Sequence, residues 1–234
     1  MNPDLHFYYH PTPNPSKIAL FLEESGLDHE LHPVDIARGD QHAPAFVALN
    51  PNRKVPVLVD DGIVIFDSTA ILLHLARTRG LFLGRTDDAT QADMLSWLML
   101  IASGVGPFTG QAIHFKHYAP AGQDYPSHRY TFEAERHWAL VDERLRDRRY
   151  LVGDSYSIAD MSLWGWCRGL QYWLGAETAS QRYPHVARLF DEINARPAAR
   201  RVAQWAGRHA FKQDTDASTR ASLFRHGLPP SGGD

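Results

Sequence analysis

Strand-forming patterns occur only in the first third of this 234-residue chain, and only helical patterns follow them. Runs of β-branched and aromatic residues end near residue 66, whereas apolar residues beyond residue 90 recur at helical spacing. Before residue 80 the order is strand, helix, strand, short helix, two strands and helix. This order predicts a mixed α/β domain followed by an all-α domain.

Local signals place the elements of the first part. A run of strand formers opens the chain, and a helix follows it. Asn14 suits the N-cap of that helix, Pro15 its first position and Gly26 its C-terminal stop. Pro33 in the next run predicts an edge strand, because proline lacks a backbone donor. The triplet at 60–62, Asp-Asp-Gly between two apolar runs, predicts a hairpin.

Domain boundaries follow from where these patterns change. We predict an α/β domain over 1–80, a polar linker over 81–90, an all-helical domain over 91–212 and a flexible tail over 213–234. The predicted helices of the second domain cover 90–118, 129–148, 157–174, 184–195 and 197–208.

Two local features refine the helical domain. Gly104, Gly106 and Pro107 predict a break or kink in its first helix. Ser157 followed three residues later by Asp160 matches a capping box, with Asp in place of the usual Glu or Gln. We interpret this second motif as structural.

Composition excludes several classes of function. A formal net charge of −3 and the lack of a long basic run argue against nucleic acid as the main partner. The N-terminus has no signal pattern and no apolar run is long enough to cross a membrane. Cys167 is the only cysteine, so no internal disulfide can form and a reducing cytoplasm fits best.

Neither cysteine nor histidine chemistry is expected to carry the function. Cys167 lies inside a predicted helix, without a second cysteine or a helix N-terminus to activate it, and is expected to be an inert, buried thiol. His114 and His117 are three residues apart, but no further ligands accompany them. No metal site is therefore expected.

Val55-Pro56 directly precedes a predicted strand. A cis peptide bond here would turn the chain sharply and direct the Val55 N–H and C=O outward. These groups could pair with a peptide ligand as an antiparallel strand would. Read alone, the proline fits an ordinary entry to a strand as well.

Two predicted helix N-termini carry polar side chains. Asp67 and Ser68 open one helix, where Ser68 could bind a carboxylate and Asp67 an ammonium group, as an α-amino-acid head requires. Thr12 and Asn14 lie where the first strand turns into the first helix, a place that suits stabilisation of an anion such as a thiolate. Each pair fits plain helix capping as well.

The set and order of these motifs resembles the cytosolic glutathione transferases over roughly residues 5–205. The resemblance is closest to the Nu class of glutathione-dependent disulfide-bond reductases. The stretches that carry this closer likeness are 12–14 (TPN), 106–111 (GPFTGQ), 114–120 (HFKHYAP) and 129–130 (RY). The resemblance implies a thioredoxin-like first domain, a glutathione transferase fold and a homodimer.

The resemblance also assigns roles to individual residues. It implies that Thr12 and Asn14 hydrogen-bond the glutathione sulfur and are the catalytic residues. The residues that it places around the rest of glutathione are Gln41, Lys54, Val55, Pro56, Asp67, Ser68 and Arg129. Two departures stand out: Asp67 replaces the usual Glu, and Pro15 replaces a small residue. Tyr8 is the alternative thiol activator, since its spacing matches the catalytic tyrosine of Alpha- and Mu-like transferases.

The function implied is reduction of small disulfides, with the glutathione thiolate rather than a protein cysteine as nucleophile. Glutathione is then a cosubstrate, and a small disulfide or electrophile is the second substrate. Two alternatives stay open within the family, conjugation to electrophiles and peroxide reduction. A third is a glutathione- or protein-binding module without catalysis.

Overall fold

A four-stranded sheet forms the centre of the first domain. The structure is a computed structural model that describes residues 4–224. The sheet order is β2-β1-β3-β4, with β1 and β2 parallel and the other neighbours antiparallel. As Pro33 predicted, β2 is an edge strand. The strands are β1 (Leu5–Tyr9), β2 (Glu30–Pro33), β3 (Val57–Asp60) and β4 (Ile63–Phe66).

Eleven α-helices accompany the sheet in the described part of the chain, three in the first domain and eight beyond residue 87. This mixed sheet followed by a helical bundle confirms the predicted fold class. The helices are α1 (Pro13–Ser25), α2 (Pro44–Leu49), α3 (Ser68–Arg79), α4 (Asp88–Leu100), α5 (Gly106–His117), α6 (Asp124–Leu145), α7 (Ile158–Leu174), α8 (Ala176–Arg182), α9 (Pro184–Asn194), α10 (Pro197–Trp205) and α11 (Ala217–Leu223).

The start of α1 differs from the prediction by two residues. Thr12 has extended backbone angles and is the N-cap, so Pro13 rather than Pro15 occupies the first helical position. Thr12-Pro13 and Asn14-Pro15 both suit a helix start. The Ser16 N–H donates to the Thr12 carbonyl, so the helix begins with the Thr12-Pro13 pair. The helix ends at Gly26 in the left-handed region, as predicted.

The turns on either side of β3 also follow the sequence signals. The Val55–Pro56 peptide bond is cis. The β3–β4 hairpin turns at Asp61 and Gly62, both of which have positive φ.

Different helices pack against the two faces of the sheet. Alternate residues of β1, such as Phe7, point toward α1 and α3 and join the large core that continues into the helical domain. Tyr8 points the other way and packs in a smaller cluster with Phe46 of α2 and Val57. The larger core therefore holds the two domains together.

Helix α1 joins the domains by packing against α7 and α10. A Cβ added to Gly165 of α7 would lie 2.5 Å from the Pro13 carbonyl oxygen and 2.6 Å from Lys17 Cγ. Glycine therefore allows these two helices to approach closely. At the other end of α1, Glu24 pairs with Arg196, and Glu23 accepts a hydrogen bond of 2.7 Å from the Trp205 indole.

The first long helical pattern is interrupted where Gly104, Gly106 and Pro107 predicted a break. Residues Ile101–Val105 form a π-helical turn between α4 and α5. The capping box at the start of α7 is confirmed, with Ser157 and Asp160 bonded reciprocally. Sequence reasoning missed α8.

The segment predicted as a flexible tail departs from that prediction over its first half. Asp216 caps helix α11, and Ser222 hydrogen-bonds the Ile36 carbonyl and the Gln41 side chain of the first domain. Residues 225–234 lie outside the described residues. None of the helices within 4–224 has the combined length and apolar character needed to cross a bilayer.

Candidate active site

A cleft lies between the sheet domain and the helical domain. It consists of two adjoining cavities, of about 570 and 420 Å³, which share four lining residues. The shared residues are Asn14, Lys54, Trp166 and Leu223. Interdomain clefts of this size commonly hold small ligands.

The larger cavity reaches the N-terminus of α3. Asp67 caps this helix, and its Oδ1 accepts from the Thr69 and Ala70 N–H groups at 2.8 and 3.1 Å. Its φ of 74° is unusual for a residue other than glycine. Ser68 is buried beside it and lines the cavity. The predicted pair of polar groups at a helix start is thus present.

Lys17 also lines this cavity, and sequence reasoning missed it. Its Nζ donates to Ser68 Oγ at 3.2 Å, and its side chain is only 1% exposed. Desolvation lowers the pKa of the amine to about 7, although the nearby Asp67 carboxylate opposes this shift. Its position three residues after Asn14, on the same face of α1, is the signal that could have indicated it.

The smaller cavity is lined by the remaining groups of the first domain. Thr12, Gln41 and Val55 all contribute to it, and Lys54 contributes to both cavities. The Gln41 amide nitrogen donates to the Ile36 carbonyl and to Ser222 Oγ, each at 3.2 Å. Helix α11 therefore contacts one of the predicted ligand-binding groups.

The orientation of the Asn14 amide is fixed by a residue of the helical domain. The Trp166 indole N–H donates to Asn14 Oδ1 at 3.1 Å. Because an indole N–H can only donate, the Asn14 oxygen faces Trp166 and the amide N–H₂ is left to donate elsewhere. Gly106 leaves room for this indole, since an added Cβ would lie 2.8 Å from its Nε1.

Thr12 has little competition for its hydroxyl. The Thr12 Oγ1 makes a long hydrogen bond of 3.4 Å to the His10 carbonyl and does not cap α1 with its side chain. At that length the bond is weak, and the hydroxyl can rotate toward a stronger acceptor. Thr12 and Asn14 thus stand at the N-terminus of α1 as two neutral donors.

Two predicted site residues lie away from the cleft. The Tyr8 ring stacks on His32 at 4.5 Å and packs beside Phe46, and it lines neither cavity. Arg129 lies on α6, where it forms an ion pair of 3.1 Å with Glu133. The structure therefore leaves Tyr8 and Arg129 apart from the predicted residues that line the cleft, which are Thr12, Asn14, Gln41, Lys54, Val55, Asp67 and Ser68.

The other candidates from the sequence do not form a reactive centre. Cys167 is buried inside α7 and donates to the Leu163 carbonyl, and burial raises the pKa of its thiol. His114 lines the larger cavity, whereas His117 contacts Tyr172.

A group of three possible metal ligands occurs elsewhere within residues 4–224. It comprises His6, Glu30 and His32 on β1 and β2. His6 Nδ1 and His32 Nε2 are 3.1 Å apart, at hydrogen-bond distance. The group lies outside both cavities of the cleft.

Comparison with known families and proteins agrees with this architecture. The family model "Glutathione S-transferase, N-terminal domain" matches residues 12–78, and "Glutathione S-transferase, C-terminal domain" matches 133–192. The disulfide-bond oxidoreductase YfcG of Escherichia coli is 39% identical over 201 residues, covering 83% of this chain and 92% of the relative.

Solved structures are similar as well. A glutathione transferase from Burkholderia graminis, with two glutathione molecules bound per subunit, has a TM-score of 0.81 and 36% identity, covering 88% of this chain and 89% of that one. A glutathione transferase from Pseudomonas putida, with one glutathione disulfide bound per subunit, has a TM-score of 0.81 and 32% identity, with coverages of 86% and 91%.

The fold and cleft define a two-domain protein in which a thioredoxin-like sheet is joined to a helical bundle, with a cleft between them. The chain belongs to the glutathione S-transferase family. The family predicted from the motifs is confirmed.

Proposed function

We propose that this protein is a glutathione-dependent oxidoreductase that reduces small disulfides. The observation that carries the proposal is the cleft, which joins the Asp67–Ser68 helix terminus to the Thr12–Asn14 turn, while the single cysteine is buried elsewhere. The similar E. coli protein is named a disulfide-bond oxidoreductase, and the similar P. putida structure holds glutathione disulfide.

The geometry suggests how glutathione lies in the cleft. The γ-glutamyl end would reach Asp67 and Ser68, and the cysteinyl backbone would pair with Val55 beside cis-Pro56. Gln41 and Lys54 would meet the remaining polar end of the tripeptide. The thiol then lies near Thr12 and Asn14 at the start of α1. For Arg129 to contact glutathione, its side chain must leave the ion pair with Glu133.

The chemical step is thiol–disulfide exchange. The bound glutathione thiolate attacks one sulfur of the substrate, the disulfide bond breaks, and the other sulfur leaves as a thiolate. A second glutathione thiolate then attacks the mixed disulfide, giving glutathione disulfide and the second reduced thiol of the substrate. Protons released when the two glutathione thiols ionise are taken up by the product thiolates.

Conjugation to electrophiles, peroxide reduction and ligand binding without catalysis are the competing functions. Purified protein assayed with reduced glutathione and a small disulfide, a hydroperoxide or an aromatic electrophile would separate them. We expect the disulfide to turn over fastest. A higher rate with either other substrate would replace this proposal by the corresponding activity, and glutathione binding without any turnover would indicate a binding module.

Replacing either Thr12 or Asn14 with alanine is expected to raise the pKa of the bound glutathione thiol. A free thiol has a pKa of about 8.5, so the site must favour the thiolate. Hydrogen bonds to a charged acceptor contribute roughly 1.5–3 kcal/mol, and one pKa unit corresponds to about 1.4 kcal/mol. Each substitution should therefore raise the pKa by about one to two units, with a smaller effect on affinity. Ultraviolet titration of the bound thiolate measures this change.

Tyr8→Phe is the matched control for these two variants. It removes a hydroxyl from the neighbouring strand, and the ring can keep its stacking on His32. The titration should hardly change. A large shift in Tyr8→Phe, together with none in the Thr12 and Asn14 variants, would assign thiol activation to the tyrosine.

We further propose that the protein is a homodimer in a reducing cytoplasm. The cytoplasmic assignment rests on the single unpaired cysteine. The dimer is supported by large apolar side chains left exposed on the edge strand β4 and on α4 and α6, which a second copy would cover. They are Ile63, Val64, Phe66, Leu95, Met99, Phe132 and Leu140.

Light scattering after size-exclusion chromatography is expected to give twice the mass of one chain. Phe66→Asp should reduce the measured mass toward that of one chain, because the 44%-exposed ring would be replaced by a charge at the proposed contact. Tyr172→Asp serves as the comparison and should leave the mass unchanged, since this 56%-exposed ring lies on α7, outside the proposed contact. A single-chain mass for the unmodified protein would refute the dimer.

A further inference from the structure

Lys17 is a buried amine that opens onto the ligand cleft. It ranks among the largest fully buried side chains, yet it lines the larger cavity beside Ser68. An ammonium group has three donors, and Ser68 Oγ accepts one of them. A buried charge is costly unless an opposite charge or several hydrogen bonds compensate it. This position thus favours a ligand that supplies an anion.

The groups around Lys17 offer its amine little compensation for a positive charge. On the α7 side, Gly165 lies so close that even a methyl group would meet Lys17 Cγ at 2.6 Å. The titratable groups around the cavity are Asp67 at the start of α3, Lys54 before β3 and His114 on α5. Asp67 is the one acid in this set, and its Oδ1 already accepts two backbone N–H groups.

We propose that Lys17 is the carboxylate-binding residue of the γ-glutamyl subsite, where its ammonium group and the Ser68 hydroxyl together hold the α-carboxylate of glutathione. This inference rests on the proposed function and adds to it one ligand-binding residue and the uptake of a proton when the ligand binds. The bond from Lys17 uses a lone pair of Ser68 Oγ, so the Ser68 hydroxyl hydrogen is free to donate to the same carboxylate.

A proton is taken up from solvent when the ligand binds. Desolvation lowers the pKa of Lys17 to about 7 in the free protein, so most of the amine is neutral at pH 8. A carboxylate within hydrogen-bond distance raises the pKa of the amine, which then gains a proton. Affinity for the ligand should consequently fall by up to about tenfold per pH unit above pH 7.

Calorimetry with S-methylglutathione tests this proposal. The methyl group removes the thiol proton from the measurement and keeps the γ-glutamyl group. Titrations at pH 8 in phosphate and in Tris, whose ionisation enthalpies differ, give the number of protons exchanged. We expect uptake close to one proton per ligand, and affinity that falls from pH 7 to pH 8.5.

Two variants assign the proton to one lysine. Lys17→Met keeps a similar side-chain volume and should abolish the uptake while weakening binding about tenfold or more. Lys54→Met removes the other lysine of the cavity and should weaken binding while the uptake persists. If Lys17→Met does not fold, the proton uptake of the unmodified protein in the two buffers and the pH dependence of its affinity still test the proposal.

The outcomes also separate this inference from the proposed function. Tight binding of S-methylglutathione without proton uptake, or unchanged uptake in folded Lys17→Met, would overturn the role of Lys17 and leave glutathione binding intact. Absence of binding by the unmodified protein would overturn both.

Discussion

Replacing Asp160 with alanine is expected to lower the free energy of unfolding by about 3 kcal/mol or more, because three buried donors would each lose their acceptor at a cost of roughly 1–3 kcal/mol. The fully buried carboxylate accepts from the Ser157 N–H at 2.9 Å and from its hydroxyl at 3.0 Å. Its other oxygen accepts from the Leu151 N–H at 2.8 Å. Alanine would leave these donors unpaired in a site that water does not reach.

Urea denaturation followed by circular dichroism measures this loss. Asp160→Asn keeps one carbonyl acceptor and should lose less stability than the alanine variant. Asp87→Ala is the matched control, because Asp87 also caps a helix, α4, but at the surface. Equal losses of stability in the Asp160 and Asp87 variants would mean that the buried hydrogen bonds of Asp160 stabilise the fold no more than a surface cap does.

Lys17→Met is expected to change how stability depends on pH. In the folded protein the pKa of Lys17 is lowered to about 7, whereas in the unfolded chain it is near its usual value of about 10.4. Between these values the unfolded state binds the extra proton. Stability of the unmodified protein therefore rises with pH through this window, by about 1.4 kcal/mol per pH unit, and the contribution is lost as pH falls toward 7.

The methionine variant has no amine to titrate. Near pH 7 it should be at least as stable as the unmodified protein, because it avoids burying a charge. Its advantage should shrink as pH rises, by about 3 kcal/mol from pH 7 to pH 9.5. Denaturation of both proteins at a series of pH values gives the difference, in which titration of all other groups cancels. A constant difference across the series would mean that Lys17 stays charged in the folded protein.

Much of the fold was predictable because its signals are local. Strand formers, the Asp61–Gly62 turn and the left-handed Gly26 each act on neighbouring backbone, so a short stretch of sequence suffices to indicate the element. The start of α1 was placed two residues late because two Xaa-Pro pairs compete there, and propensity alone does not choose between Thr12 and Asn14.

The residues of the candidate site that the sequence predicted also carry local signals. The order of Thr12, Asn14, Val55, Asp67 and Ser68 along the chain predicted a set of groups that the structure places in one cleft. Each lies at a turn or a helix start, where backbone donors are left unpaired whatever the rest of the chain does. The alternation of β1 turns the ring of Tyr8, the alternative thiol activator, toward α2.

The sequence by itself therefore determined the order of elements, the helix termini that carry polar groups and the capping box of α7. The tertiary structure alone decided that Trp166 orients Asn14 across 152 residues, and that Ser222 reaches Gln41 across 181. It also decided that Lys17 is buried, although a lysine in an amphipathic helix ordinarily extends to water. Such contacts depend on which faces of distant helices pack together, and no short stretch of sequence encodes that choice.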